Sequence, residues 1–193
     1  IYMFDGSRQS NNFTANVSGI GHSARIAISD VALGKASLDE VRAVTGHEIG
    51  HYVLGHIWRM VFVFAGLAIL LFFAADRLFP RLARWFGSDA AIGDPRGFPV
   101  LIFFLSLFGL VTLPLTNTLI RVDESEADHY SLKTENRPDA LATALVKTAE
   151  YRSPRPGAVE EVIFYDHPSV ERRVRAAMEW KAAHPPANAP APQ

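Results

Sequence analysis

The chain has no cysteine. That absence excludes disulfides, thiolate metal ligands and a cysteine nucleophile together. Any metal must therefore be held by His, Asp or Glu. Net charge is also scarce: 19 Lys and Arg stand against 20 Asp and Glu, giving −1 at pH 7. Nothing in that balance points to a nucleic acid or a strongly acidic partner. The opening residues lack a signal-peptide layout and begin at Ile1 rather than Met. We read the chain as a fragment of something longer, with an N-terminal part missing. There is no internal repeat, and 193 residues suffice for one domain with a substantial core.

What the chain does have is Thr45-Gly46-His47-Glu48-Ile49-Gly50-His51, which contains H-E-x-x-H. On a helix, residues four apart share a face, so His47 and His51 can reach one ion. Glu48 lies close enough to take a proton from a water that the metal activates. With this content of His and Glu, the motif arises by chance in about one chain in a hundred. Leu38, Val41 and Val44 lead into it with helical apolar spacing. Ser37 and Glu40 form a Ser-x-x-Glu capping box at the start of that helix. The helix is expected to run on without a break through Ile57.

Residues 1–36 read as β structure. Phe13 to Ile20 mixes apolar and small polar residues, Gly19 and Gly21 mark a turn, and Ala24 to Ile28 alternates as a half-buried strand does. The glycosylation sequons at Asn12 and Asn16 are short matches that carry no weight.

Two apolar runs follow the motif. Met60 to Ala75 has no charged residue, and Pro99 to Leu115 is interrupted only by Ser106 and Thr112. With their flanks each approaches the roughly 20 residues of a membrane span. A chain of this size has too little other apolar surface to wrap two helices that are hydrophobic all round. The expectation is a transmembrane hairpin embedded in a lipid bilayer, making this an integral, multi-pass membrane protein. Its connector, Asp76 to Gly97, carries an aromatic and basic patch, Arg81 to Phe86, suited to a membrane interface. Arg77, Arg81, Arg84 and Arg96 on one side balance Arg42, Arg59, Arg121 and Lys133 on the other, so charge alone sets no orientation. After Leu119 the chain turns polar and helical again. Pro138 opens a helix to about Tyr151, and Pro168-Ser169 starts a last one through Trp180. The Pro- and Ala-rich tail from His184 reads as disordered.

Two histidines and a water leave one protein position open at a catalytic zinc. The third histidine of H-E-x-x-H-x-x-G-x-x-H is excluded, because its Gly and His places hold Leu54 and Ile57. Gly55 and His56 each miss by one. A carboxylate from a later helix is the other solution. Glu124 and Asp128 lie four apart, so one could bind the metal while the other orients a ligand histidine. An acidic face turned to solvent fits that spacing equally well. Glu126, about 200° round the helix from Glu124, should point away.

The sequence H-E-I-G-H-Y-V-L-G-H, a hydrophobic hairpin, R-x-x-E-x-x-A-D, then His167-Pro168-Ser169 with Arg173 six residues past the histidine, resembles the type I CaaX prenyl proteases. Ser7 to Asn12 and Gly19-Ile20-Gly21 through Ile26 are similar to the segment before that family's metal helix. The resemblance runs in order from about residue 7 to 180. It implies a mainly α fold with a small β segment (α+β), a zincin-like metallopeptidase domain interrupted by the hairpin. Residues 1–57 would form its first half, 58–119 the hairpin with connector 76–97, 120–183 the second half, and 184–193 the tail. It implies one Zn²⁺ per chain, with Glu124 as third ligand beside His47 and His51, and Asp128 as partner of a zinc-bound histidine. His167 would donate to the oxyanion, and Arg173 would hold a carboxylate of substrate or protein. Without the resemblance, His167 before Pro168 reads as a helix-start residue.

The implied activity is hydrolysis of peptide bonds in peptide or protein substrates, membrane-anchored or prenylated, with the zinc on the cytoplasmic side. Asn16 and Val17 would pair with an extended substrate by β-addition. Where the family usually has Asn-Ala on this strand, the chain has Thr14-Ala15. The rival readings are a membrane quality-control zinc protease of broader specificity, a soluble enzyme whose apolar pair packs internally, and an inactive membrane scaffold.

Overall fold

A computed structural model of the chain describes residues 1–9, 14–149 and 153–185. The expected disorder of the tail beyond Pro185, the sequon at Asn12, the 10–12 part of the family-like segment and the helix end near Tyr151 fall outside those residues.

Three short strands open the fold: β1 (Tyr2–Phe4), β2 (Ala15–Ser18) and β3 (Arg25–Ser29), in the order β1-β3-β2. β1 runs parallel to β3 and β2 antiparallel to it. Both outer strands are therefore edges. The β reading of residues 1–36 holds as far as Ser29. There the Ser29 hydroxyl accepts from Ala32 N–H (3.1 Å) and caps a short helix, α1 (Asp30–Lys35).

α2 (Leu38–Val53) starts on the expected capping box. Glu40 N–H donates to the Ser37 hydroxyl (3.2 Å), and Ser37 N–H donates to the Glu40 carboxylate (2.7 Å). Lys147 adds an ion pair to Glu40 at 2.8 Å. The helix does not run on through Ile57. It ends at Val53, because Gly55 adopts a left-handed conformation (φ 71°) that a residue with a side chain resists. The chain restarts in a new direction as α3 (His56–Trp85).

α3 extends well past Ala75, so Arg77, Arg81 and Arg84 of the expected connector are helical. After a turn at Pro95–Gly97, α4 (Phe98–Glu135) is one continuous helix. The apolar run and the acidic stretch, read as separate elements, are two ends of the same rod. The two helices pack at their connector end, around Phe79, Ala83 and Val100. Both are long and apolar enough to cross a membrane. Only 0% and 11% of their apolar windows are buried inside the fold, with Phe62, Ile69, Phe72 and Val111 each at least 70% exposed. Apolar exposure of that extent marks a lipid or protein contact, not an internally packed pair.

The chain closes with α5 (Pro138–Lys147), α6 (Ala158–Phe164) and α7 (Val170–Ala183). α6 has no counterpart in the sequence reading, while α7 starts where Ser169 was expected to cap it. Ala43, Leu132, Leu141, Ala142, Leu145 and Ala177 bring α2, α4, α5 and α7 into one small core.

Candidate metal centre

Small residues bring α2 and α4 together. Ala43 and Ala127 are fully buried, and the Ser131 hydroxyl donates to the Ala43 carbonyl at 2.6 Å. A Cβ on Gly50 would stand 3.1 Å from Ala127 Cα, and one on Gly46 would stand 3.0 Å from Ser131 Oγ. On the adjoining faces, His47 and His51 of α2 meet Glu124 and Asp128 of α4. His47 Nε2 lies 3.1 Å from His51 Nε2 and 3.5 Å from Glu124 Oε2. His51 Nε2 lies 3.4 Å from Glu124 Oε1. Donors about 2.0–2.2 Å from a tetrahedral ion are about 3.3–3.6 Å apart, so this set fits one metal ion.

The far nitrogens support that fit. His47 Nδ1 is 2.9 Å from Asp128 Oδ1, an arrangement that leaves Nε2 as the free donor. Burial disfavours a charged His47 ring, yet the Asp128 and Glu124 carboxylates, which accept from it, raise its pKa to about 9 when no metal is bound. Among the described residues, Glu48, Glu124 and Asp128 face a single guanidinium, that of Arg173. The surplus of negative charge is what a dication neutralises.

Glu48 sits on the other side of the donor set. Its Oε2 accepts from Val17 N–H at 3.0 Å, tying the edge of β2 to the motif helix. Burial pushes the Glu48 carboxyl up from its ordinary range, against the pull of His47, His51 and the Val17 N–H. Ser29 N–H donates to the Thr14 carbonyl (2.9 Å). Antiparallel alternation then directs the Asn16 backbone toward β3 and leaves Ala15 and Val17 on the free edge. Val17 thus reaches the site, while Asn16 presents an exposed side chain beside it.

His167 and Arg173 arrive from the C-terminal part. α6 ends against α4, where Arg121 donates to the Glu161 carbonyl (2.8 Å) and Asn117 to the Ile163 carbonyl (2.7 Å). The loop that follows brings His167 Nε2 to 3.4 Å from Glu124 Oε1, while its Nδ1 bonds to Asp166 (2.8 Å). Arg173 grips Asp128 with two bonds of 2.7 Å and reaches Glu124 at 3.3 Å. Both carboxylates that Arg173 holds here, Asp128 and Glu124, belong to the protein. A cavity of about 1190 Å³ between α4 and α7, lined by Arg121, His129, Arg172 and Trp180, touches Asp128 and Arg173 from behind. It includes neither Glu48 nor the three donors.

One neighbour was missed. His56 lies 2.9 Å from His51 through the two Nδ1 atoms. The sequence shows that histidine only as a near miss for the last place of H-E-x-x-H-x-x-G-x-x-H. The turn at Gly55, which returns it to His51, has no local signature beyond the glycine.

Two histidines and a glutamate around one point, with a second glutamate beside them, are the residue set that metallopeptidases use. The chain matches Peptidase family M48 over residues 2–181, and it belongs to that family. It is 30% identical over 198 residues to CAAX prenyl protease 1 of Saccharomyces cerevisiae, covering 91% of this chain and 43% of that one. It is 28% identical over 182 residues to the Bacillus subtilis protein named "Uncharacterized metalloprotease YhfN" (92% and 43%). It is 32% identical over 151 residues to a Protease HtpX homolog of Thermoplasma volcanium (77% and 46%). The crystal structure of S. mikatae Ste24p superposes with a TM-score of 0.73 at 26% identity, covering 91% of this chain and 44% of that one. The resemblance to CaaX prenyl proteases and the mainly helical fold with a small sheet are borne out. The chain spans less than half the length of these relatives.

Proposed function

We propose that the chain is the metal-bearing part of a zinc-dependent membrane endopeptidase that cleaves membrane-anchored, prenylated CaaX-type substrates. One observation carries the reading: the convergence of His47 Nε2, His51 Nε2 and the Glu124 carboxylate, with Glu48 held beside them by Val17. Two imidazoles and a carboxylate suit zinc. A zinc ion held there would polarise the scissile carbonyl and acidify a water molecule.

The remaining work belongs to the side chains. Glu48, its proton affinity raised by burial, takes the proton of the attacking water and passes it to the leaving amine. His167, about a third exposed and aimed at Glu124, donates to the developing oxyanion. Asp128 fixes the His47 tautomer, and Arg173 locks Asp128 in place. The free edge of β2, through the Ala15 backbone and the Val17 carbonyl, pairs with an extended substrate, with Asn16 alongside. In this reading residues 1–57 and 120–183 form one peptidase unit, and 58–119 the hairpin that holds it at the bilayer. The zinc side is cytoplasmic, where prenylated chains are anchored. A broader protein substrate range is the second reading, favoured by the similarity to HtpX proteases.

The test uses the full-length parent protein: metal content, then hydrolysis of a prenylated CaaX peptide, the same peptide without its prenyl group, and an unrelated unfolded membrane protein. One zinc per chain and preference for the prenylated peptide are expected. Equal cleavage of all three would favour the second reading, and no metal-dependent cleavage of any would overturn both.

A further inference from the structure

The two histidines of the motif are supported differently. His47 has a carboxylate, Asp128, on its far nitrogen. His51 has another histidine. His56 is 3% exposed, is the first residue of α3, and follows the left-handed Gly55. Its Nδ1 lies 2.9 Å from His51 Nδ1, and its Nε2 lies 3.0 Å from Glu126 Oε2. Arg59, one turn further along α3, donates to Glu126 at 2.9 Å and pairs with the buried Asp123. Glu126 does point away from the three donors, as its position on the helix requires, but what it meets there is the support of one of them.

The proton positions follow in series. A His51 ring that offers Nε2 to a metal carries its hydrogen on Nδ1 and needs an acceptor there. A carboxylate at His56 Nε2 keeps the His56 hydrogen on that nitrogen, leaving Nδ1 as a lone pair facing His51. Glu126 thus sets the His56 tautomer, and His56 sets that of His51. His56, Asp123 and Glu126 are also close enough to hold an ion of their own. The Arg59 guanidinium already sits on both carboxylates, so the cation of this cluster is a side chain.

We propose that His56 is the positioning residue of metal ligand His51, with Glu126, steadied by Arg59 and Asp123, fixing its tautomer. The inference rests on His51 binding the metal through Nε2. It also makes the first turn of the first apolar helix part of the metal site's support.

The experiment measures metal affinity of the full-length parent protein by chelator competition, together with the visible spectrum of the cobalt-substituted protein. Four variants are compared: His51→Ala, His56→Phe, His56→Gln and Glu126→Ala. His56→Phe keeps a ring but no acceptor, and should weaken affinity about 10- to 100-fold and shift the cobalt bands. His56→Gln can accept from His51 through its amide oxygen and donate to Glu126 through its amide nitrogen, so it should recover most of that loss. Glu126→Ala, at a half-exposed position that does not threaten folding, should weaken affinity several-fold. Wild-type affinity and spectrum in His56→Phe or, if that variant fails to fold, in Glu126→Ala would overturn the proposal. So would a His56→Gln protein as impaired as His56→Phe, because a packing role alone would then account for both. Tight metal binding by His51→Ala would instead overturn the ligand set, and with it the underlying reading.

Discussion

Replacing Gly50 by alanine tests how the metal site is assembled. The new methyl would stand 3.1 Å from both Ala127 Cα and Tyr130 Cβ and 3.3 Å from the Ala127 carbonyl oxygen. Two of these three neighbours are backbone, so relief requires α4 to retreat by a few tenths of an ångström. Overpacking of this kind costs about 1–3 kcal/mol, while replacing a helical glycine returns at most about 1 kcal/mol. The net should be destabilising by up to about 2 kcal/mol. Because α4 carries Glu124, the same retreat lengthens the imidazole-to-carboxylate distances of 3.4–3.5 Å. That retreat uses up much of the roughly 0.5 Å that a metal site tolerates, so affinity should fall by a few-fold. Gly46→Ala should be milder, since its closest contact, Glu135 Cγ at 2.9 Å, belongs to a long side chain that can swing. Gly34→Ala in α1 meets nothing within 4 Å and should be neutral or stabilising. Thermal midpoints in detergent, with chelator competition, read both quantities. If Gly50→Ala gains stability like Gly34→Ala and keeps its metal, the close helix approach is not what sets the site.

Glu48→Gln should keep wild-type metal content and lose hydrolysis, because Glu48 touches Val17 and lies outside the donor set; retained turnover would remove it as the base. Glu124→Ala should lose metal and activity together, read by metal analysis after dialysis. Glu40, held to a pKa of about 2 against burial by Lys147 and the Ser37 N–H, contributes stability that is present above about pH 4.5 and lost as pH falls toward 2. With Lys147 substantially exposed, that contribution is about 1 kcal/mol, and Glu40→Gln should flatten the fall of the thermal midpoint across that window. Ile69→Arg should cut membrane insertion by about 2.5–3.5 kcal/mol, and a variant that stays soluble without detergent would contradict the spanning role.

The legible parts of this chain are those with a short-range cause. Ser37 and Glu40 cap α2 through a four-residue pattern, His47 and His51 share a face at spacing four, and Ser169 begins α7 where a Ser after Pro suggests it. The failures are tertiary. Leu54 and His56 fit a helix well enough that only the left-handed Gly55 breaks it. The acidic stretch from Asp123 to Asp128 looks solvated, because the partners that bury it, His47, Arg173 and Arg59, lie dozens of residues away. Resemblance to a family supplied Glu124. Neither pattern nor resemblance supplied the contact from Glu126 to His56, which depends on where α3 turns.

α4 carries one further consequence. At about 1.5 Å per residue, some 30 Å of helix, with Pro114 inside it, separate Phe104, amid the apolar run, from Glu124. A tilt of about 1° near Phe104 therefore displaces the Glu124 carboxylate by about 0.5 Å, the whole tolerance of a metal site. α2 rests on α4 through Ala43, Gly50, Ala127 and Ser131, so only a tilt that slides α4 against α2 parts Glu124 from His47 and His51. The packing of α2 on α4 is thus what keeps the reach of a long helix from becoming an error in the spacing of the three donors.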